Sequence, residues 1–222
     1  VAPTEYNVIL LDEFKEGEIN STDTFRICNP EDVISTIGTI AATAATGGDN
    51  KIGYQWYMLA DETATAIEGA TSQDLTLNDV ADQLSFEFDK TYSIFRMVND
   101  SMCQTEPISS KDTVVITVYP KFEEGDIQAA DDSLCWGAEP SITINSKVHA
   151  TFGTLDVYYY WTVQFANGSE YTIQGSNTAS LTDYDEFIAP GTYTFRRYAY
   201  NTLCMDINSA IKDSSEYKVT LL

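Results

Sequence analysis

Four cysteines, one histidine and 34 carboxylates are the side chains of this 222-residue chain that could hold a metal, form a bridge or move a proton. Structural zinc sites draw cysteines into spacings such as C-x2-C and add histidine. Here Cys28, Cys103, Cys135 and Cys204 lie far apart in sequence, and His149 is the only histidine. A Ser-His-Asp set would have to pass through His149, which lies in a strand-like stretch, SKVHATF, and reads as a structural or solvated residue. P-loop, GxGxxG and HExxH motifs are absent. The densest acids, Asp183, Asp185 and Glu186, lack the spacing of a calcium loop, and Asn78, Asp79 and Asp82 are only loosely similar in the first half. Both read as solvated acidic turns. Carboxylate pairs can serve as acid and base, but nothing singles out a pair. The expectation is a chain with no catalytic residues, no metal and no cofactor.

Aromatic chemistry is the remaining candidate. In the stretch before Trp161, strand alternation turns Tyr158 and Tyr160 away from the tryptophan. Tyr198, Tyr200 and Arg196 fall on the strand expected beside it. Such an outward face could stack on sugar rings or on another protein. The alternative is that tyrosine is present as a good strand former.

The elements that must carry these residues are repeated. KTYSIFRMVNDSMC from Lys90 aligns without a gap on GTYTFRRYAYNTLC from Gly191. Further back, Ile67–Thr76 matches Ile173–Thr182, Tyr54–Trp56 matches Tyr159–Trp161, Cys28 matches Cys135, and EGEI at Glu16 matches EGDI at Glu124. Short alternating β-branched and aromatic segments, separated by Gly, Asn, Asp and Ser, predict an all-β chain of two packed-sheet domains. The expected boundaries are residues 17–119 and 120–222. Val33–Ala44 reads as one strand region, and Asn78–Leu84 as a turn or single helical turn. Trp56 and Trp161 should centre the two cores, faced by Ile94 and Phe195 from strands that begin with Tyr92 and Tyr193. Parity also turns Arg96 and Arg197 inward, where each should pair with a nearby carboxylate.

Residues 1–16 resemble the end of a unit rather than its beginning. The stretch from Glu5 aligns with the one from Thr113, and both align with EYKVTLL at Glu216. Glu5–Leu11 is therefore expected to be the closing strand of a preceding repeat, which makes the chain a slice of a longer tandem array. The alternative is an edge strand of the first domain.

Of the three possible cysteine pairings, only Cys28–Cys103 with Cys135–Cys204 keeps both bridges within the repeats. Buried free thiols are the alternative. Each bridge would enclose about 70 residues or slightly more, stabilising by roughly 4 kcal/mol in the chain-entropy description, and would imply an oxidising compartment. The net charge of −22 offers no basic patch for phosphate, so nucleic acid is not an expected partner. No apolar run approaches the length of a membrane span.

Taken in order, the cysteine, Tyr-x-Trp, Ile-x-Gly-Ala-Thr, Leu-Thr, Thr-Tyr-x-x-x-Arg and the second cysteine resemble the immunoglobulin-like (PKD/SprB-type) tandem repeats of Bacteroides-type cell-surface proteins. The similarity covers residues 17–119 and 125–222. The second unit departs from it at Gly175-Ser176-Asn177, and has Trp136 after Cys135 where the first has Asn29. The Tyr before the core position resembles the tyrosine corner of immunoglobulin-like domains. The resemblance implies a secreted or outer-surface modular protein: a non-catalytic spacer or adhesin whose partners are neighbouring repeats. A glycan- or protein-binding module, ancillary to a larger surface enzyme, is the second expectation.

Overall fold

A computed structural model describes residues 6–20, 24–130, 132–137, 139–204 and 215–222. The chain divides into two compact units, Val1–Pro120 and Lys121–Leu222. Strands of the first are β1 (Asp12–Lys15), β2 (Thr24–Ile27), β3 (Thr39–Ile40), β4 (Thr46–Gly48), β5 (Gly53–Ala60), β6 (Thr63–Ala66), β7 (Leu75–Thr76), β8 (Lys90–Asn99), β9 (Ile108–Ser109) and β10 (Val114–Val118). Those of the second are β11 (Asp126–Ala129), β12 (Ser133–Leu134), β13 (Ile142–Val148), β14 (Tyr158–Gln164), β15 (Glu170–Thr172), β16 (Leu181–Tyr184), β17 (Gly191–Tyr200) and β18 (Glu216–Leu221).

The same main sheet is built twice. In the first unit the order is β2-β10-β8-β5-β6, with β9 also paired to β8. In the second it is β12-β18-β17-β14-β15. The outermost β2 and β12 run parallel to β10 and β18, while the other neighbours are antiparallel. The opposing layer is β11-β13-β16 in the second unit and is reduced to the short pairs β1-β4 and β3-β7 in the first. This is an immunoglobulin-like β-sandwich in each unit.

Alternation explains the cores. Along β8 every second side chain is buried from Tyr92 onward. Trp56 and Ile94 are fully buried in the first unit, and Trp161 and Phe195 in the second. Each tryptophan is wrapped by the turn after the following strand. The Trp56 indole donates to Ser72 O at 2.9 Å, and the Ile67 N–H donates to Trp56 O. The Trp161 indole donates to Thr178 O at 2.9 Å, and Ile173 N–H to Trp161 O. The repeated Ile-x-Gly motif is thus the collar of the tryptophan. The corner tyrosines close each core below it. Tyr193 donates to Ala189 O at 2.7 Å and accepts from Ile188 and Ala189 N–H, and Tyr92 accepts from Glu87 N–H at 2.8 Å.

Four expectations change. Val33–Ala44 is not one strand, because Val33–Ile37 forms a short helix, α1, ahead of β3. Asn29 caps the preceding turn through Glu31 N–H, Pro30 pre-sets its backbone, and Gly38 at φ +66° ends the helix. Asn78–Leu84, expected as a turn or single helical turn, overlaps a seven-residue 3-10 stretch, Leu77–Gln83, that is kinked at Val80. Residues 6–11 form no strand, and Val8, Ile9 and Leu10 are exposed. Their sequence counterpart, β10, occupies the place between β2 and β8.

The fourth correction concerns the cysteines. Neither Cys28–Cys103 nor Cys135–Cys204 is formed: Cys103 and Cys135 are exposed free thiols, while Cys28 and Cys204 are disulfide-bonded. Strand length gives the reason. Ile27 stands beside Val118, and Val118 beside Lys90, at the start of β8. Cys103 lies beyond Asn99, at the other end. A ten-residue strand spans about 30 Å, against the roughly 4–7 Å between Cα atoms of a disulfide. In the second unit Leu134 stands beside Leu221 and Leu221 beside Gly191, whereas Cys204 follows Tyr200 at the far end of β17.

Candidate functional site: the tyrosine face of the second unit

Register brings the predicted aromatic residues together. Tyr158 stands opposite Tyr200, Tyr160 opposite Tyr198, and Thr162 opposite Arg196. Tyr160 and Tyr198 stack at 4.6 Å with their planes 9° apart. Tyr158 and Tyr200 lie 5.6 Å apart and tilted. The ladder continues into charge. Arg196 Nε donates to Glu216 at 3.1 Å, and its other nitrogens reach Glu170 and Gln164 at 3.4 Å. Thr162 Oγ1 donates to Glu170 at 2.7 Å.

The face is therefore largely closed upon itself. Tyr198, expected outward, is only 6% exposed, because the stacked Tyr160 ring covers it. Burial, with the Glu170 charge nearby, raises its phenol pKa; burial, with Tyr198 and Glu170 nearby, does the same for Tyr160. Tyr158 remains 44% exposed and is the open end of the ladder. A planar ring lying against a polar ligand is what it can offer. The equivalent face of the first unit stacks Tyr57 on Phe95 at 5.4 Å, beside Met97, and carries no counterpart of Arg196.

The other singled-out residues do not assemble into a site. His149 is exposed just after β13. Asp183, Asp185 and Glu186 line a shallow hollow beside Gly175. Among the described residues, no three His, Cys, Asp or Glu side chains converge as metal ligands, and no helix is long and apolar enough to cross a membrane. Burial, reinforced by Glu186, pushes the neighbouring Tyr184 phenol up to about 12.

Arg96 and Arg197 are fully buried, yet among the described residues neither forms the expected ion pair with a carboxylate. Arg96 donates to the carbonyls of Glu16 (3.2 Å), Thr43 (2.9 Å) and Gln73 (2.8 Å) and to Ser110 Oγ (2.9 Å). Arg197 donates to the carbonyls of Glu124, Val148 and Ala179 and to Ser146 Oγ. A carboxylate would satisfy one fork of the guanidinium, whereas carbonyls from separate segments satisfy its several donors and fasten those segments together. Tyr54 and Tyr159 add ring contacts at 4.7 and 5.4 Å. The Glu-Gly pair of EGEI and EGDI belongs to this clasp. Its glutamate carbonyl is the acceptor, and Gly17 and Gly125 have φ +71° and +73°, where a Cβ would strike backbone within 2.6 and 2.3 Å. Sequence reading paired these motifs without assigning them a role; the recurrence of Arg and Glu-Gly together was the available signal.

One loop differs between the units. Asp100 is buried at the end of β8, and its carboxylate accepts from the N–H groups of Asp49, Met102, Cys103 and Gln104. Burial alone would raise its pKa, but these four donors outweigh that and hold it below the usual carboxylate range. Gly48 makes room for it: at φ +59°, a Cβ there would collide with the carboxylate. In the second unit the position is Asn201, which accepts from Leu203 N–H and donates to Asp156 O.

No protein-family model matches the chain, and no curated protein matches it. Among solved structures it is similar to the crystal structure of Dscam1 isoform 9.44, N-terminal four Ig domains with zinc, at 12% identity and a TM-score of 0.31. That match covers 94% of this chain and 46% of the other, so the chain spans about half the length of that structure. The immunoglobulin-like assignment rests on strand order, pairing and the tyrosine corners described above.

Proposed function

We propose that the chain belongs to a secreted or outer-surface bacterial protein in which tandem immunoglobulin-like modules serve as non-catalytic spacer and adhesion units. The observation that carries this reading is what the two units share. Tryptophan collar, tyrosine corner and arginine clasp recur in both, and all three act on the fold itself. The features that could do chemistry, His149 and the acidic turn, occur in one unit only and do not assemble. The disulfide-bonded state of Cys28 and Cys204 supports an oxidising location. Antibody labelling of intact source cells tests the location: labelling without permeabilisation is expected, and a signal seen only after permeabilisation would sink the reading.

A second reading is ligand binding at the open end of the tyrosine ladder, favoured by the half-exposed Tyr158, whose ladder leads through Tyr160 and Tyr198 to the charged network of Arg196. The Tyr158→Ala/Tyr160→Ala variant is expected to lose any glycan or protein ligand captured by the second unit. Unchanged capture would exclude the face.

A further inference from the structure

Each unit carries one cysteine at each of its two poles. The first unit is left through Tyr119, whose N–H bonds to Ile27 O at 2.9 Å, so Cys28 stands beside the outlet. Cys103 stands at the inlet, where β1 pairs with β4, and Gly48 and Asp49 of that β4 end adjoin Asp100. In the second unit Trp136 N–H bonds to Leu222 O at 2.7 Å, which puts Cys135 beside the outlet. Cys204 follows Asn201 at the inlet, where Glu124 is held by Arg197. Cys28 and Cys135 are thus outlet cysteines, and Cys103 and Cys204 inlet cysteines.

One cysteine of each kind is oxidised and one is not. Outlet Cys28 and inlet Cys204 are disulfide-bonded, while inlet Cys103 and outlet Cys135 are free and exposed. The free thiols occupy the repeat positions of the bonded ones, and strand length forbids a bridge within a unit. Both are presented for contact. The Cys103 N–H is held by Asp100 at 2.8 Å, and its neighbour Met102 is 68% exposed. Trp136, next to Cys135, is 45% exposed. A thioether and an indole are complementary apolar partners.

We infer that Cys103 and Cys135 are the sites at which a further copy of the module is joined covalently, outlet cysteine to inlet cysteine, head to tail. A second copy of this chain supplies that module through Cys103 facing the first chain's Cys135. The oxidant is a small disulfide such as oxidised glutathione. One thiol takes up a glutathionyl group and releases glutathione. The thiolate of the other attacks the protein sulfur of that mixed disulfide, expelling a second glutathione, so two thiols lose two protons and two electrons to the reagent. Such a contact is heterologous and does not close, so it propagates. The inference goes beyond the spacer reading and would hold equally for a binding module.

The test is oxidation of the purified chain with oxidised glutathione, followed by non-reducing electrophoresis and mass spectrometry of the cross-linked peptides. The expected result is a reducible ladder whose bridging peptide joins Cys103 to Cys135. Cys103→Ser and Cys135→Ser, each with Cys28 and Cys204 still bonded by mass, should abolish the ladder singly, and mixing them should give one dimer and nothing larger. A chain that stays monomeric in oxidant would overturn the inference. So would dimers in which the Cys103–Cys135 bridge makes up no more than half of all bridges, as random pairing gives.

Discussion

The two arginine clasps each gather three backbone carbonyls and a serine hydroxyl, and they differ at the guanidinium Nε. In the first unit Ser110 Oγ accepts from Arg96 Nε and also lies 3.3 Å from Glu16 O, to which it donates, so the inlet segment is held by both side chains. In the second unit Arg197 Nε and Ser215 Oγ are buried and have no partner among the described residues. Leaving a buried donor unpaired costs about 1–3 kcal/mol. Among the described residues the second clasp thus makes one bond fewer, although its carbonyl acceptors are kept. Both clasps keep bonds to three separate carbonyls, and only the first also has its Nε bonded to a serine.

Removing the clasp altogether should have the largest effect. Arg96→Ala leaves three part-buried carbonyls short of a donor and opens a cavity, and is expected to cost about 3–5 kcal/mol. Arg197→Ala should cost less, because its Nε has no partner among the described residues. Denaturant titration resolving the two units checks both, and equal losses would erase the distinction. Next in size, Ser110→Ala should destabilise the first unit by about 1–3 kcal/mol, while Ser215→Ala should change the second by under about 0.5 kcal/mol.

The smallest effect is expected from acid. Asp100 titrates below its unfolded value, so its stabilisation is complete above the ordinary carboxylate range and is lost as pH falls through its folded pKa. Asn201 cannot titrate. Acidification from about pH 5 downward should therefore lower the melting point of the first unit more than that of the second. Asp100→Asn should reduce that gap, and a gap that persists unchanged would assign it to other carboxylates, Asp49 first, since its bond from Ser101 also holds it low.

Much of the architecture was legible because it is written twice. Repetition located the strands, and parity placed Trp56, Trp161, Ile94 and Phe195 inside and turned Arg96 and Arg197 inward. What parity does not state is what a side chain meets. The arginine acceptors are carbonyls contributed by loops, and loop carbonyls leave no mark in a side-chain pattern. Tyr198 has outward parity yet is buried, because a neighbouring strand stacks a second ring on it. Val33–Ile37 is β-branched enough to read as strand, and its conversion to helix is decided by Asn29-Pro30 before it and Gly38 after it. The cysteine pairing honoured the repeat but ignored length, since a ten-residue strand separates the two partners.

The parallel pairing of the outermost strand has a mechanical consequence. With inlet and outlet at opposite poles, tension along the chain draws β2 and β10 past one another rather than peeling them apart. Their hydrogen bonds are then loaded together in shear. In the first unit this patch aligns four residue pairs, from Thr24 beside Val115 to Ile27 beside Val118. In the second it aligns two, Ser133 with Thr220 and Leu134 with Leu221. Bonds from Thr220 and Leu222 to Asp132 and Leu134, and from Trp136 to Leu222, extend that shorter patch, so the load in the second unit falls on the stretch from Asp132 to Trp136.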